Sequence, residues 1–144
     1  MKKFIILVLT ICMTMSLFGC SETVSSSSDK KEEHIFNINI EVKNEKITQE
    51  KAYEIMNSNF EHVILDVRTK EEFEEGHIKN AINLPVDNID KEVGPVINDK
   101  NTIILVYCRS GNRSSMALNK LSNLGYTNVK DFGGINDWKY EIVK

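Results

Sequence analysis

Cysteine, proline and glycine are all scarce in this chain of 144 residues, which contains three, two and seven of them. Three cysteines are too few for a disulfide scaffold, and no Cys-x-x-Cys or paired Cys/His spacing offers a zinc site. There is no Gly-rich phosphate fingerprint and no internal repeat. Positive charge is also short: 18 Lys and Arg stand against 21 Asp and Glu, a net charge of -3. A non-specific nucleic-acid binder needs a basic patch to displace counterions, so no nucleic-acid partner is expected. What remains, with 41% hydrophobic and 27% charged residues, suits one domain with a real core.

The front of the chain differs from the rest. Lys2 and Lys3 precede an apolar run over residues 4–18, broken only by Thr10, Thr14 and Ser16. A short positive region followed by about fifteen mostly apolar residues reads as a secretory signal rather than a spanning helix. The run meets Leu17-Phe18-Gly19-Cys20, which resembles the lipobox of a bacterial lipoprotein, although Phe18 is bulkier than that position usually carries. The resemblance implies a signal peptide over residues 1–19, lipid on Cys20, and a domain held at the membrane on its extracytoplasmic side. An ordinary signal peptide or an uncleaved anchor is the alternative. Removing residues 1–19 takes away two lysines, no acids and Cys12, leaving a net charge of -5. With Cys20 acylated, Cys108 is the only free thiol, and no internal disulfide can form.

Residues 20–45 read as a tether. Residues 21–33 are Ser-rich and charged, with Val24 as their only aliphatic side chain. Residues 34–42 alternate apolar and polar side chains, which predicts a weak strand. From residue 46 to 144 the pattern is that of a domain. Thr48 can cap a helix over about 49–57, with Ala52, Ile55 and Met56 inward. Residues 62–67 and 102–107 are short apolar runs rich in β-branched side chains, the mark of parallel strands covered on both faces. Residues 81–84 form a shorter candidate strand. Val86, Ile89 and Val93 are spaced for a helix that Gly94-Pro95 should stop. Ala117, Leu118, Leu121 and Leu124 make a helical stripe ending at Gly125. A last strand over 128–132 precedes Gly133-Gly134, and a short helix is predicted around 137–142. Strands alternate with helices, so the class is α/β.

Ligands in such sheets bind beyond the carboxyl ends of the strands. Two segments emerge there: Asp66-Val67-Arg68 and Cys108-Arg109-Ser110-Gly111-Asn112-Arg113-Ser114. A cysteine that ends a buried strand and is followed by a glycine-containing loop and a helix sits among inward-pointing N–H groups at a helix N-terminus. Arg109 and Arg113 add formal positive charge. Each of these favours thiolate over thiol. An unperturbed cysteine is only about 3% ionised at pH 7, and a shift of its pKa to roughly 6.5 makes it about 75% ionised.

The loop from Cys108 to Ser114 resembles the active-site loop of rhodanese-like sulfurtransferases. The similarity extends through Asp66-Val67-Arg68, Glu72-Phe73, Gly76-His77-Ile78, Ala81-Ile82-Asn83 and Leu84-Pro85, and on through Gly125-Tyr126 and Gly133-Gly134-Ile135 to Trp138. It implies a small parallel sheet flanked by helices on both faces, and a cysteine that carries sulfane sulfur as a persulfide. On this resemblance Cys108 is the nucleophile, and Arg109, Ser110, Gly111, Asn112 and Arg113 cradle its sulfur, with Ser114 next in the loop. Arg113 closes the loop, while Arg109 faces the mouth and attracts an anionic donor such as thiosulfate. Asp66 and Arg68 support the loop from beneath or beside it. Glu72 has an explanation of its own: Thr69-Lys70-Glu71-Glu72 is a capping box, so capping or an ion pair with Arg68 is favoured over catalysis.

The expected reaction moves sulfur from a small donor to a thiol or cyanide acceptor, with no metal and no organic cofactor, in a monomer. Two other readings stay open. A phosphatase or arsenate reductase uses a related Cys-x5-Arg loop, but here four residues separate Cys108 from Arg113. The shorter loop narrows the cup, favouring a sulfur atom over a tetrahedral oxyanion. The third reading is a non-catalytic module that carries sulfur or senses redox state. His77 reads as a hydrogen-bonded turn residue and Trp138 as packing.

Overall fold

The period-two alternation inside the apolar runs at 62–67 and 102–107 decides the architecture. In the strand Ile103–Cys108, Ile104, Val106 and Cys108 face one side of the sheet, while Ile103, Leu105 and Tyr107 face the other, and all six are buried. A strand buried on both faces needs a layer of helix on each. The computed structural model, which describes residues 39–144, shows that arrangement.

The elements run β1 (Glu45–Lys46), α1 (Gln49–Met56), β2 (His62–Asp66), α2 (Lys70–Glu75), β3 (His77–Ile78), β4 (Ala81–Asn83), α3 (Ile89–Val96), β5 (Ile103–Cys108), α4 (Asn112–Asn123), β6 (Val129–Gly134) and β7 (Ile142–Val143). Five strands form a parallel sheet in the order β1-β6-β5-β2-β4, with β5 at its centre. On one face α3 and α4 bring Ile89, Val93, Ala117 and Leu121 onto Leu65, Ile104 and Val106. On the other, α1 packs Ala52 and Ile55 against Ile64, Leu105 and Tyr107. Thr48 caps α1 through Lys51 N–H. Gly125, at φ 87°, ends α4: its N–H goes to Ser122 O and that of Tyr126 to Leu121 O, a Schellman closure.

Four expectations need correction. The strand predicted over 34–42 is absent from residues 39–42; β1 begins at Glu45 instead. The buried Lys130 ammonium explains this, because it draws in the carbonyls of Glu41 (2.7 Å) and Lys43 (2.8 Å) and the Glu45 carboxylate (2.7 Å). Those carbonyls therefore point at a cation rather than along a ladder. Second, Gly94-Pro95 does not stop α3, which runs to Val96. Pro95 lies in the last turn, and Lys91, whose carbonyl it deprives of an N–H partner, is exposed to solvent. Third, no helix covers 137–142: a single 3₁₀ turn spans Ile135–Asp137, and β7 follows, antiparallel to β3. Trp138, Tyr140 and Ile142 alternate with Lys139 and Glu141, a strand period. Fourth, β6 continues through both glycines to Gly134. The expected signal peptide, the lipidation site Cys20 and most of the tether lie outside the described residues. No helix among the described residues is long and apolar enough to cross a membrane.

Candidate active site

Cys108 closes β5 at the carboxyl end of the sheet and is 1% exposed. The chain then makes a tight loop into α4, and Gly111 is the residue that allows it: its φ of 98° lies in the left-handed region that favours glycine. In that conformation the Gly111 N–H turns back and donates to Cys108 Sγ at 3.0 Å. Burial pushes the thiol pKa up, but the N–H groups of Ser114, Gly111 and Ser110 and the Ser114 hydroxyl outweigh it, so the net direction is down. The loop's own N–H groups and the Ser114 hydroxyl thus favour the thiolate.

The two arginines stand in different surroundings. Arg113 is bidentate on Glu72, with Nη1 to Oε2 at 2.6 Å and Nη2 to Oε1 at 2.8 Å. Its charge is largely spent on that carboxylate, so the N–H groups, not the guanidinium, govern the sulfur. Arg109 is exposed and makes none of the ion pairs found among the described residues. Ser110 and Asn112 are exposed beside it, while Ser114 is buried, its hydroxyl 3.0 Å from Gly111 O.

Glu72 keeps the capping box, accepting from Thr69 N–H at 3.1 Å while Thr69 Oγ1 accepts from Glu72 N–H at 3.3 Å. Its ion-pair partner, however, is Arg113 and not Arg68. Arg68 is committed to Asp66: Nε lies 3.0 Å from both carboxylate oxygens and Nη2 is 2.6 Å from Oδ2. Arg68 Nη2 also donates to Gly76 O at 2.7 Å, tying the start of α2 to its end. Asn83 adds two bonds, to the carbonyls of Asp66 (3.1 Å) and Arg68 (3.0 Å). The buried Asp66–Arg68 pair therefore fixes the segment that presents Glu72, and Glu72 in turn holds Arg113 and the mouth of the loop. His77 is a packing residue, stacked on Phe73 at 3.7 Å with Nδ1 3.0 Å from Phe73 O.

The Arg113 guanidinium beside Glu72 holds its carboxyl far below the usual range, at about 2 against an ordinary 4.5; partial burial opposes this, and the Thr69 N–H assists it. A carboxyl whose pKa is depressed on folding adds stability above its unfolded pKa and loses it as pH falls through the folded one. Glu72→Gln should therefore lower stability by about 1–2 kcal/mol at pH 6, the partly exposed pair being screened by solvent. The gap between the two proteins should narrow below about pH 4.5 and close near pH 2. Denaturant unfolding across that range checks it; a gap that does not change with pH refutes the clamp.

Residues that sequence reasoning left without a role stand beneath the loop. Gly134 lies so close that a β-carbon there would sit 2.5 Å from Arg109 O and 2.6 Å from Ser110 Cα. Asp131 and Ser115 hydrogen-bond each other at 2.9 Å. The available signal was a double glycine two residues after an aspartate, a pattern that suits a bulge. A cavity of about 230 Å³ exists elsewhere, lined by Tyr53, Ile64, Trp138 and Tyr140 among others, and no residue of the Cys108–Ser114 loop lines it. Among the described residues no group of His, Cys, Asp and Glu is placed to hold a metal ion.

A buried cysteine at a strand end, cupped by the N–H groups of a four-residue turn into a helix, is a specific arrangement. The profile of the rhodanese-like domain matches residues 48–141, two-thirds of the chain and all of this loop. The chain belongs to the rhodanese-like family. It is 39% identical over 80 residues to Thiosulfate sulfurtransferase PspE of Escherichia coli (strain K12), covering 56% of this chain and 77% of that protein. The solved structure of a rhodanese with anions from E. coli superposes with a TM-score of 0.55 at 35% identity, covering 58% of this chain and 98% of the other. The family also occurs inside longer proteins. The Adenylyltransferase and sulfurtransferase UBA4 of Debaryomyces hansenii is 45% identical over 89 residues, which are 56% of this chain and only 20% of that one. The expected fold class is therefore met, and the protein is a rhodanese-like sulfurtransferase.

Proposed function

We propose that this rhodanese-like domain moves sulfane sulfur from a small anionic donor such as thiosulfate to a thiol or cyanide acceptor through a Cys108 persulfide. The observation that carries the reading is the set of N–H donors aimed at Cys108 Sγ, which favours a sulfur anion at that point. The Cys108 thiolate attacks the outer sulfur of the donor; the sulfur–sulfur bond of thiosulfate breaks, and sulfite leaves with the bonding pair. The outer sulfur of the persulfide then bonds to the incoming nucleophile, and the thiolate departs as it was. A preformed thiolate needs no separate general base. The loop's N–H groups serve the thiolate and the persulfide anion alike, without reorganisation between the two steps.

Arg109 is the residue expected to select the donor. Its exposed guanidinium faces solvent beside the cup, where attraction of an anion acts on encounter more than on the chemical step. Arg109→Ala should raise KM for thiosulfate roughly tenfold with kcat changed less than about twofold. Turnover with a neutral persulfide donor should be unaffected. Steady-state kinetics on both donors measures this, and an equal loss on both would remove Arg109 from donor selection. Wild-type protein that gains no sulfur atom from thiosulfate, by intact mass, would overturn the donor assignment itself.

The same proposal places the domain at a membrane. Its support is the sequence Leu17-Phe18-Gly19-Cys20 after an apolar run, with Lys2 and Lys3 ahead of it. Cys20→Ala should abolish incorporation of labelled fatty acid and block cleavage between Gly19 and Cys20. Normal cleavage of the wild type with no lipid attached refutes the anchor. A domain so tethered, on the extracytoplasmic side, meets donors and acceptors close to the lipid surface.

A further inference from the structure

The register between β5 and β6 changes just where the site begins. Val106 pairs with Asp131, yet Cys108 pairs with Gly134, so the one intervening residue of β5, Tyr107, is opposed by two of β6, Phe132 and Gly133. This is a β-bulge, and a bulge leaves backbone groups outside the ladder while re-aiming the strand. Here the displaced Gly133 N–H finds Asp131 Oδ1 at 3.0 Å, with Gly133 at φ 92°. The other carboxylate oxygen, Oδ2, accepts from Ser115 Oγ at 2.9 Å, in the first turn of α4. Asp131 is 3% exposed and takes part in none of the ion pairs among the described residues. A buried carboxylate without a cation costs stability unless its hydrogen bonds are required.

We infer that Asp131 is a positioning residue for sulfur transfer, pinning both walls of the Cys108 cup by holding the Gly133 bulge with one oxygen and the first turn of α4 with the other. One wall is the bulge: Gly134 supports Arg109 and Ser110 from below, and Gly133 O lies 3.3 Å from Ser114 Oγ. The opposite wall is the turn from Gly111 to Ser115. Ser115 Oγ stands 2.9 Å from Gly111 O as well as from Asp131, so its single proton serves one acceptor at a time. Asp131, a charged acceptor, takes it, leaving Gly111 O to the Ser115 N–H. Gly111, whose N–H meets the sulfur, is thereby held between the bulge and the helix. Ser114 Oγ also reaches both walls, 3.0 Å from Gly111 O and 3.3 Å from Gly133 O, but it has one proton to give, whereas the Asp131 carboxylate accepts from both sides at once.

The inference rests on the sulfur-transfer reading of Cys108, but its test has a readout that needs no donor. The rate of Cys108 alkylation by iodoacetamide against pH reports the thiolate midpoint in the full chain. Asp131→Ala frees the bulge and the turn to drift apart, so the midpoint should rise by about one pH unit. The kcat with thiosulfate and cyanide should fall about tenfold while KM changes less than about twofold. Asp131→Asn should restore both, because its Oδ1 accepts from Gly133 N–H and its amide donates to Ser115 Oγ. Ser115→Ala, which leaves the Gly133 bond intact, should raise the midpoint by roughly half as much and covers the case in which Asp131→Ala does not fold. A midpoint unchanged in both alanine variants overturns the inference. A raised midpoint in a chain whose wild type transfers no sulfur keeps the positioning role and rejects the proposed reaction.

Discussion

Cys108→Ser should carry no sulfur adduct and show no turnover. Incubated with thiosulfate, the wild type should gain the mass of one sulfur atom and lose it on adding cyanide; the serine variant should show neither change. The loss in kcat should be at least roughly a thousandfold, because a serine alkoxide is far harder to form at neutral pH than a thiolate. The cup sharpens this difference: its N–H groups lower the pKa of a thiol that burial alone would raise, yet they leave a hydroxyl far from ionisation. Fold should be little affected, since serine is nearly isosteric and the Gly111 N–H can donate to its oxygen as it does to sulfur. Far-ultraviolet circular dichroism with intact mass separates the two effects. An adduct that persists in Cys108→Ser removes this cysteine from the mechanism.

The second large effect is expected where nothing reacts. At Gly134 an added methyl would meet Arg109 O at 2.5 Å, Ser110 Cα at 2.6 Å and Arg109 C at 2.8 Å, all of them backbone. None of these atoms can rotate away, so the loop must lift off the bulge. A displacement of reacting groups on the order of 1 Å costs about a hundredfold in rate. Gly134→Ala should therefore lose about a hundredfold in kcat while stability falls by only about 1–3 kcal/mol. Gly94→Ala is the matched control. No atom lies within 4 Å of its added methyl, and the residue is helical, so activity should be kept and stability held or slightly raised. Kinetics and thermal melts on the two variants decide the matter; equal activity in both would mean that the loop tolerates lifting.

Much of the molecule was legible in local patterns. The apolar runs at 62–67 and 102–107, with β-branched side chains and no clean alternation of polarity, could be satisfied only by burial on both faces. The stripe from Ala117 to Leu124 ending at Gly125 could only be a capped helix. Cys108, placed after such a run and before a glycine turn, already implied a sulfur facing N–H groups, because backbone geometry at a helix start leaves those groups unpaired. These features depend on neighbours within a few residues, where the chain's own stereochemistry decides. The placing of the Cys108 sulfur among N–H donors therefore followed from the sequence alone.

The supporting framework did not, because its pairs are far apart along the chain. Whether Glu72 would meet Arg68 or Arg113 could not be read from the sequence: Arg68 is nearer in sequence, yet Asp66 already fills its guanidinium, and the fold brings Arg113 across from α4. Asp131 and Ser115 become partners only because β6 bulges against β5, a mismatch of register that neither strand displays by itself. Nothing in the local sequence marks Lys130, which the folded sheet turns onto the carbonyls of Glu41 and Lys43, with the first strand starting at Glu45. β7 replaced a predicted helix because β3 offered a ladder to a segment whose alternation from Trp138 to Ile142 already has a strand period. Local sequence determined the central strands, helix α4 with its glycine cap, the two-faced sheet and the place of the Cys108 sulfur. Tertiary structure decided the edge strands, which charges pair and which backbone the loop rests on, since only packing brings those residues within hydrogen-bonding distance.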